Sequence, residues 1–179
     1  VAMFVGTTSK LAAIGLLARI CSLTFAEPGR LGDLFLVLSV VSMTLGNLAA
    51  LAQRDVKRLL AYSAIAQVGY VLVGFYAFSQ TGVAAAMFYG LAYLVIAFAA
   101  FLVVCVVGSD TSNPTLDSIA GLYQRSPFLA LVLLVAMFGL AGIPPTVGFA
   151  GKWFLFAAAL ERGEFALVLI AAINSTIGL

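Results

Sequence analysis

Hydrophobic positions in this chain do not alternate with polar ones; they run together in long blocks separated by short polar breaks. The breaks are EPGR (27–30), QRDVKR (53–58), SQTG (79–82), GSDTSNPT (108–115) and ERGE (161–164). Between them lie apolar blocks at roughly 1–25, 33–52, 59–78, 82–107 and 165–179. A helix rises about 1.5 Å per residue. The first four blocks are therefore long enough to cross a hydrocarbon core of about 30 Å. Residues 127–160 are also apolar, but AGIPPTVGF (141–149) interrupts them. Pro144 and Pro145 lack backbone donors, and Pro144 disfavours helix at Ile143. Two short spans in a hairpin, or one crossing broken at 141–149, both fit the pattern. The prediction is an all-α fold: a polytopic transmembrane helix bundle of about six crossings, with 127–160 either a hairpin or a discontinuous helix. In the polar stretch 108–126, Leu116, Ile119, Leu122 and Tyr123 recur at helical spacing, which predicts a short interfacial amphipathic helix.

Composition removes the soluble alternative. The chain is 64% hydrophobic and 9% charged, against about 25% charged in soluble domains. The bilayer is the expected partner, and a net charge of +2 argues against nucleic acid. Cys21 and Cys105 lie far apart in apolar blocks and His is absent, so neither a disulfide framework nor zinc or haem ligation is expected. No phosphate-binding or dinucleotide loop, nucleophile triad or carboxylate pair is present, and no internal repeat. NST at 174–176 matches a glycosylation sequon, but it lies in an apolar block and is discounted. Val1 opens without a signal peptide and Leu179 stops in an apolar run. The chain therefore reads as one membrane domain, 1–179, cut from a longer protein at both ends. Arg54, Lys57, Arg58 and Arg125 fall in loops on one side, which the positive-inside rule makes cytoplasmic. The side of Arg162 depends on whether 127–160 is a hairpin.

Charge inside the apolar blocks carries the candidate chemistry. Lys10 lies about 13.5 Å along a helix from Arg19, which puts it near mid-membrane if Arg19 reaches the headgroups. A lysine there costs on the order of 2.5–3.5 kcal/mol, and charges so placed are functional by default. Desolvation penalises an ammonium relative to an amine, the property of a group that takes up and releases protons. Lys152 follows the Pro-Pro break, where freed carbonyls and water could keep it partly hydrated. An anchoring lysine beside Trp153 is the plain alternative. Lys57 could be an ordinary helix-end anchor, but its helix carries Ser63, Gln67, Tyr70 and Gly74 along one face. Tyr89 and Tyr93 form an i, i+4 pair in the next block. Ser39, Ser42 and Gly46 suggest close helix packing, and Thr44 and Asn47 suit either role.

Two stretches resemble a known family. SMTLGNLAALAQRDVKRLLAYSAIAQVGYVLVG (42–74) and GLYQRSPFLALVLLVAMFGLAGIPPTVGFAGKWFLF (121–156) are similar to the antiporter-like membrane subunits of proton-pumping NADH:quinone oxidoreductase, complex I. Together with TTSK (7–10) they fit the subunit-N branch, over most of its C-terminal half. The resemblance implies roles. Lys10 corresponds to the central lysine, Lys57 to the lysine on the proton-input side, and Lys152 to the lysine of the discontinuous helix leading to the exit. That last match favours the broken crossing. Gln67 stands where the family often has His, and Tyr93 where some sister subunits have a second His; Gln cannot carry the proton charge. With Ser63, these residues form the expected proton path. IAQVGY and GLYQRSPFLAL resemble the photosynthetic, plastoquinone-reducing version. The family's glutamate–lysine pair belongs to the other half of the subunit.

The resemblance implies a subunit of an H+-translocating enzyme with no redox cofactor of its own. NAD(P)H and quinone are then used elsewhere in the complex, and other membrane subunits are the partners. A bacterial inner membrane is the expected location, with a thylakoid-type membrane as the alternative. A subunit of a multi-subunit Na+/H+ antiporter would share this fold. A structural membrane scaffold, whose lysines only hold helices or lipids, is the reading from another class.

Overall fold

The computed structural model describes residues 2–23, 29–108 and 115–178, with side chains from Ser9 onward. Most of the EPGR and GSDTSNPT breaks, and the side chains of Thr7 and Thr8, lie outside the described residues. Among the described residues the chain forms helices α1 (Ala2–Leu23), α2 (Gly29–Leu51), α3 (Val56–Tyr76), α4 (Gln80–Val107), α5 (Leu116–Ile119), α6 (Leu122–Arg125), α7 (Pro127–Ala141), α8 (Val147–Glu161) and α9 (Phe165–Ile177). α2, α3 and α4 are long and apolar enough to cross a membrane, and α7 and α9 are shorter apolar helices.

Many large apolar side chains are exposed. On α2, Leu31, Leu34, Leu38, Val41, Leu45 and Leu48 follow a three-four spacing on one exposed face. A face of that kind suits lipid rather than water. Small residues let the helices close up inside. A Cβ on Gly46 would meet the Ala66 backbone at 2.6 Å, and one on Gly69 would meet Met43 at the same distance. α3 is the central element, packed against α2, α4 and α8, with every residue from Gly69 to Phe78 buried.

Capping explains where the helices start. Asp55 precedes α3 and accepts from the Lys57 and Arg58 amides at 2.8 and 3.1 Å, satisfying donors that a first turn leaves open. Ser79 does the same for α4 through the Gly82 amide. The two ends of the bundle are tied differently. At one, the Leu116 amide donates to the Arg54 carbonyl at 3.2 Å. At the other, Tyr76 donates to Glu164 at 2.8 Å, Thr81 donates to Glu161 at 3.1 Å, and Arg162 donates to the Tyr76 carbonyl.

These ties resolve the segment left open above. α7 begins beside α6, on the Arg54 side, and α8 ends beside the α3–α4 turn, so α7 and α8 make a single broken crossing. Each is 15 residues long, or about 22 Å; neither would span alone. Arg162 therefore lies at the end opposite Arg54. The break occupies residues 142–146 and is shorter than the 141–149 expected, because Thr146 caps the new helix by accepting from the Phe149 amide.

Residues 116–125 depart from expectation. Gly121 adopts φ 72°, a left-handed conformation that interrupts the helix, so two single turns replace one amphipathic helix. Leu122 is buried and Ile119 packs on the core, but Leu116 and Tyr123 stay exposed.

Candidate functional site

Two hydrophobic clusters divide the interior. One holds Val56, Leu60, Tyr93, Ala97 and Leu140, towards the Arg54 end; the other centres on Tyr70, Phe75, Tyr89 and Leu155. Four of the buried polar side chains, Gln67, Lys152, Asn47 and Asn174, come together along the seam.

The seam is built by the Pro-Pro pair. In a continuous helix the carbonyls of Leu140 and Ala141 would accept from the amides of residues 144 and 145. Both are proline and have no amide hydrogen. Gly142, at φ 82°, turns the chain so that its own amide and that of Ile143 both bond to the Phe138 carbonyl. Two carbonyls are thus left without helical donors inside the protein, where an unmet polar group is costly.

Lys152 meets them. One turn and a half into α8, its Nζ donates to the Leu140 carbonyl at 3.2 Å, the Ala141 carbonyl at 2.8 Å and Ser175 Oγ on α9 at 2.9 Å. The Tyr70 ring lies 4.6 Å from Nζ and adds a cation–π contact. An ammonium has three donors and no acceptor, and three acceptors surround this one. The residue is 4% exposed. Gly142 leaves the room: a Cβ there would stand 2.9 Å from the lysine Cδ. Proton release requires a neighbour that can turn and donate to the resulting amine. The two carbonyls can only accept, so Ser175 is the protein group in contact with Nζ that can do this. It also lies 3.4 Å from the Ala141 carbonyl, to which its hydroxyl can donate.

Gln67 reaches the same seam from α3. Its Nε2 donates to the Leu140 carbonyl at 3.1 Å, and its Oε1 accepts from the Tyr89 hydroxyl. The carbonyl accepts only, which fixes the amide orientation and makes Tyr89 the donor. From Tyr89 and from Lys152, donors converge on one carbonyl, and an amide between them passes on no proton. Lys152 and Gln67, both expected on the proton path, therefore share an acceptor.

The other predicted residues stand further out. Lys10, half-buried on α1, lies 5.8 Å from the centre of the Tyr93 ring. It lines a pocket of only about 10 Å³ with Ile14, Gly90 and Tyr93. Tyr93 is buried one turn from Tyr89, the hydroxyl of which bonds Gln67. Ser63, one turn before Gln67, lines a cavity of about 340 Å³ with Asn47, Gln53, Leu140 and Ala141. Lys57 lies in the first turn of α3, half-buried, about 15 Å of helix from Gln67. Sequence reading missed Ser175 and Asn174, whose signal was three polar residues in succession inside an apolar helix. Among the described residues no cluster of three His, Cys, Asp or Glu could hold a metal ion.

Apolar crossings around a helix broken at a caged lysine are the build of an antiporter-like integral membrane subunit. Comparison with known proteins agrees. The family described as NADH:quinone oxidoreductase/Mrp antiporter, TM, matches residues 1–178, and the chain belongs to it. It is 53% identical over 179 residues to NADH-quinone oxidoreductase subunit N 2 of Syntrophobacter fumaroxidans, covering 100% of this chain and 38% of that protein. Among solved structures, a chain of respiratory complex I from Thermus thermophilus with bound aureothin is 38% identical, with a TM-score of 0.73 over 82% of this chain and 33% of its own. A chain of the Mrp complex from a Dietzia species is 30% identical, with a TM-score of 0.87 over 94% and 32%. The chain thus spans about a third of the length of the relatives it matches.

Proposed function

We propose that this chain is part of a proton-translocating membrane subunit of an NAD(P)H:quinone oxidoreductase. Protons move along a buried path of lysines and polar groups, driven by quinone reduction elsewhere in the complex. Lys152 is the group that binds and releases the proton; Lys57 and Ser63 lie on the input side, and Lys10 and Tyr93 form a neighbouring station. Gln67 orders the seam without relaying a proton. NAD(P)H and quinone bind to other parts of the assembly, whose membrane subunits are the partners, and a bacterial inner membrane is the setting. The observation carrying this reading is the fit of the Lys152 ammonium to two freed carbonyls, one hydroxyl and an aromatic face.

A second reading, a subunit of a multi-subunit Na+/H+ antiporter, is favoured by the higher TM-score to the Mrp chain. The two separate in inverted membrane vesicles holding the full-length subunit in its complex. Under the first reading, NADH oxidation acidifies the lumen equally with and without sodium, and Lys152→Ala abolishes the part of that acidification this subunit contributes. Acidification without NADH, appearing only on adding a sodium gradient, would select the antiporter. Full acidification by the Lys152→Ala complex would exclude Lys152 as the carrier.

A further inference from the structure

We infer that Arg162 is a positioning residue for Lys152: from the far end of the bundle it locks α8 to α3, and so keeps the lysine within reach of its acceptors in both protonation states. The inference rests on Lys152 being the proton carrier. Among the described residues, the hydrogen bonds between α8 and other elements fall at two places. One is Lys152; the other is the last turn with its cap residue, Arg162. Between them the contacts are apolar, such as Leu155 against Gly74. Apolar contacts have no direction, and helices packed through them can slide by small amounts.

The far contact is a clamp. Tyr76 is the last residue of α3, and a helix has no amides of its own left to meet its final carbonyls. Arg162 donates to the Tyr76 carbonyl, which also puts a cation where the dipole of α3 favours one. The guanidinium carbon lies 4.4 Å from the centre of the Tyr76 ring and 5.3 Å from that of Phe78. Phe78 in turn stacks on Phe35 of α2 at 5.6 Å. The clamp therefore gathers α2, α3 and α8 at one point. Phe78 is held at φ 43°, a conformation that a phenylalanine keeps only where its surroundings over-determine it. Here those surroundings include Phe35 and Arg162. Two cations thus join α8 to α3, Lys152 at the Tyr70 ring and Arg162 at the Tyr76 ring.

The two cations differ in permanence. When Lys152 gives up its proton it becomes an amine, with fewer donors than the three acceptors around it and without the charge that strengthens such bonds. Arg162 keeps its charge, because a guanidinium does not deprotonate in proteins. The contact at Arg162 therefore persists when the contact at Lys152 weakens. About 15 Å of helix separates the two residues. Functional sites are held to within about 0.5 Å, which over that length corresponds to a tilt of about 2°. Released at its far end, α8 tilts past that limit while the lysine is neutral, and the carbonyls and Ser175 no longer stand where the next proton must be held.

The test uses the intact complex in membrane vesicles. Arg162→Lys keeps the charge but loses the flat fork that donates and stacks at once. The Tyr76–Glu164 and Thr81–Glu161 bonds remain to hold that end together. Assembled Arg162→Lys complexes should oxidise NADH as before, yet lose most of the protons per electron that Lys152→Ala loses. Thr81→Ala cuts a tie between α4 and α8 at the same end without touching the clamp, and should lower the melting temperature alone. An unchanged proton count in Arg162→Lys, even with a lower melting temperature, would overturn the proposal by making Arg162 a purely structural tie. Equal loss of pumping in Thr81→Ala would overturn it too, since any loosened end would then act alike. If Arg162→Lys fails to assemble, Phe78→Leu, which removes one of the two rings beside the guanidinium, is judged by the same criterion. Normal pumping by Lys152→Ala would instead overturn the reading of Lys152 as the carrier.

Discussion

Lys152 and Lys10 occupy similar places in the sequence, each a lone lysine in an apolar helix, yet the fold treats them differently. Around Lys152 the helix is broken, and every donor of the ammonium meets an acceptor. Around Lys10 the helix is continuous, and the described partner is one aromatic ring beside a pocket of about 10 Å³. An unbroken helix spends its carbonyls on itself and has none for a buried cation. In the reading proposed above, the break is what frees acceptors for a buried lysine, by leaving two carbonyls without helical donors.

The contrast can be broken most severely at Gly142. Gly142→Val would force a β-branched residue into a left-handed conformation and against the lysine stem. The conformation alone costs about 1–2 kcal/mol, and the clash adds to it. The expected outcome is a complex that assembles poorly and melts earlier, as thermal unfolding in detergent would reveal. Full stability would mean that the lysine stem has more freedom than its contacts imply.

Restoring the lost donors is gentler and more informative. Pro144→Ala with Pro145→Ala returns two amides that can compete with Lys152 for the carbonyls of Leu140 and Ala141. Each such bond is worth about 0.5–1.5 kcal/mol, enough to favour a continuous helix. Pumping should fall while the complex stays assembled, and a structure should show Nζ displaced from both carbonyls. Unaltered Lys152 contacts would show that the carbonyls are held open by packing and not by missing donors.

Ser175→Ala removes one acceptor of three and leaves a buried N–H unmet, at about 1–3 kcal/mol. Stability should drop modestly and the pumping rate more; Ser175→Thr, which keeps the hydroxyl, should restore the rate. Equal rates for the Ala and Thr variants would remove Ser175 from the proton step. Lys10→Met should have the smallest effect on stability. It gives up a cation–π contact of about 0.5–2 kcal/mol but also relieves a charge that is expensive in the bilayer, so the melting temperature should hold or rise. A large fall would identify Lys10 as a structural tie.

Much of this was legible in the residues. Lysines in oil and a Pro-Pro pair are conspicuous because each violates a strong rule, and both mark the site. The crossings were legible for the same reason, their ends differing from expectation by only a few residues. Other features depend on contacts that sequence spacing does not carry. Asn47 meets Asn174 across 127 positions, and NST looked like a misplaced sequon until α9 brought Ser175 to the lysine. The orientation of the Gln67 amide follows from a carbonyl on another helix, which no local spacing carries. Residues 116–123 misled because their spacing is helical while Gly121 is not.

The central claim is that Lys152, and not Lys10, is held ready to take and give up a proton at the break. The direct measurement is protons translocated per electron in intact complexes carrying Lys152→Ala or Lys10→Ala, with NADH oxidation followed in the same vesicles. The account predicts that Lys152→Ala loses this subunit's share of pumping, and that Lys10→Ala retains a clearly larger fraction. Equal loss in both, or normal pumping without Lys152, would contradict it.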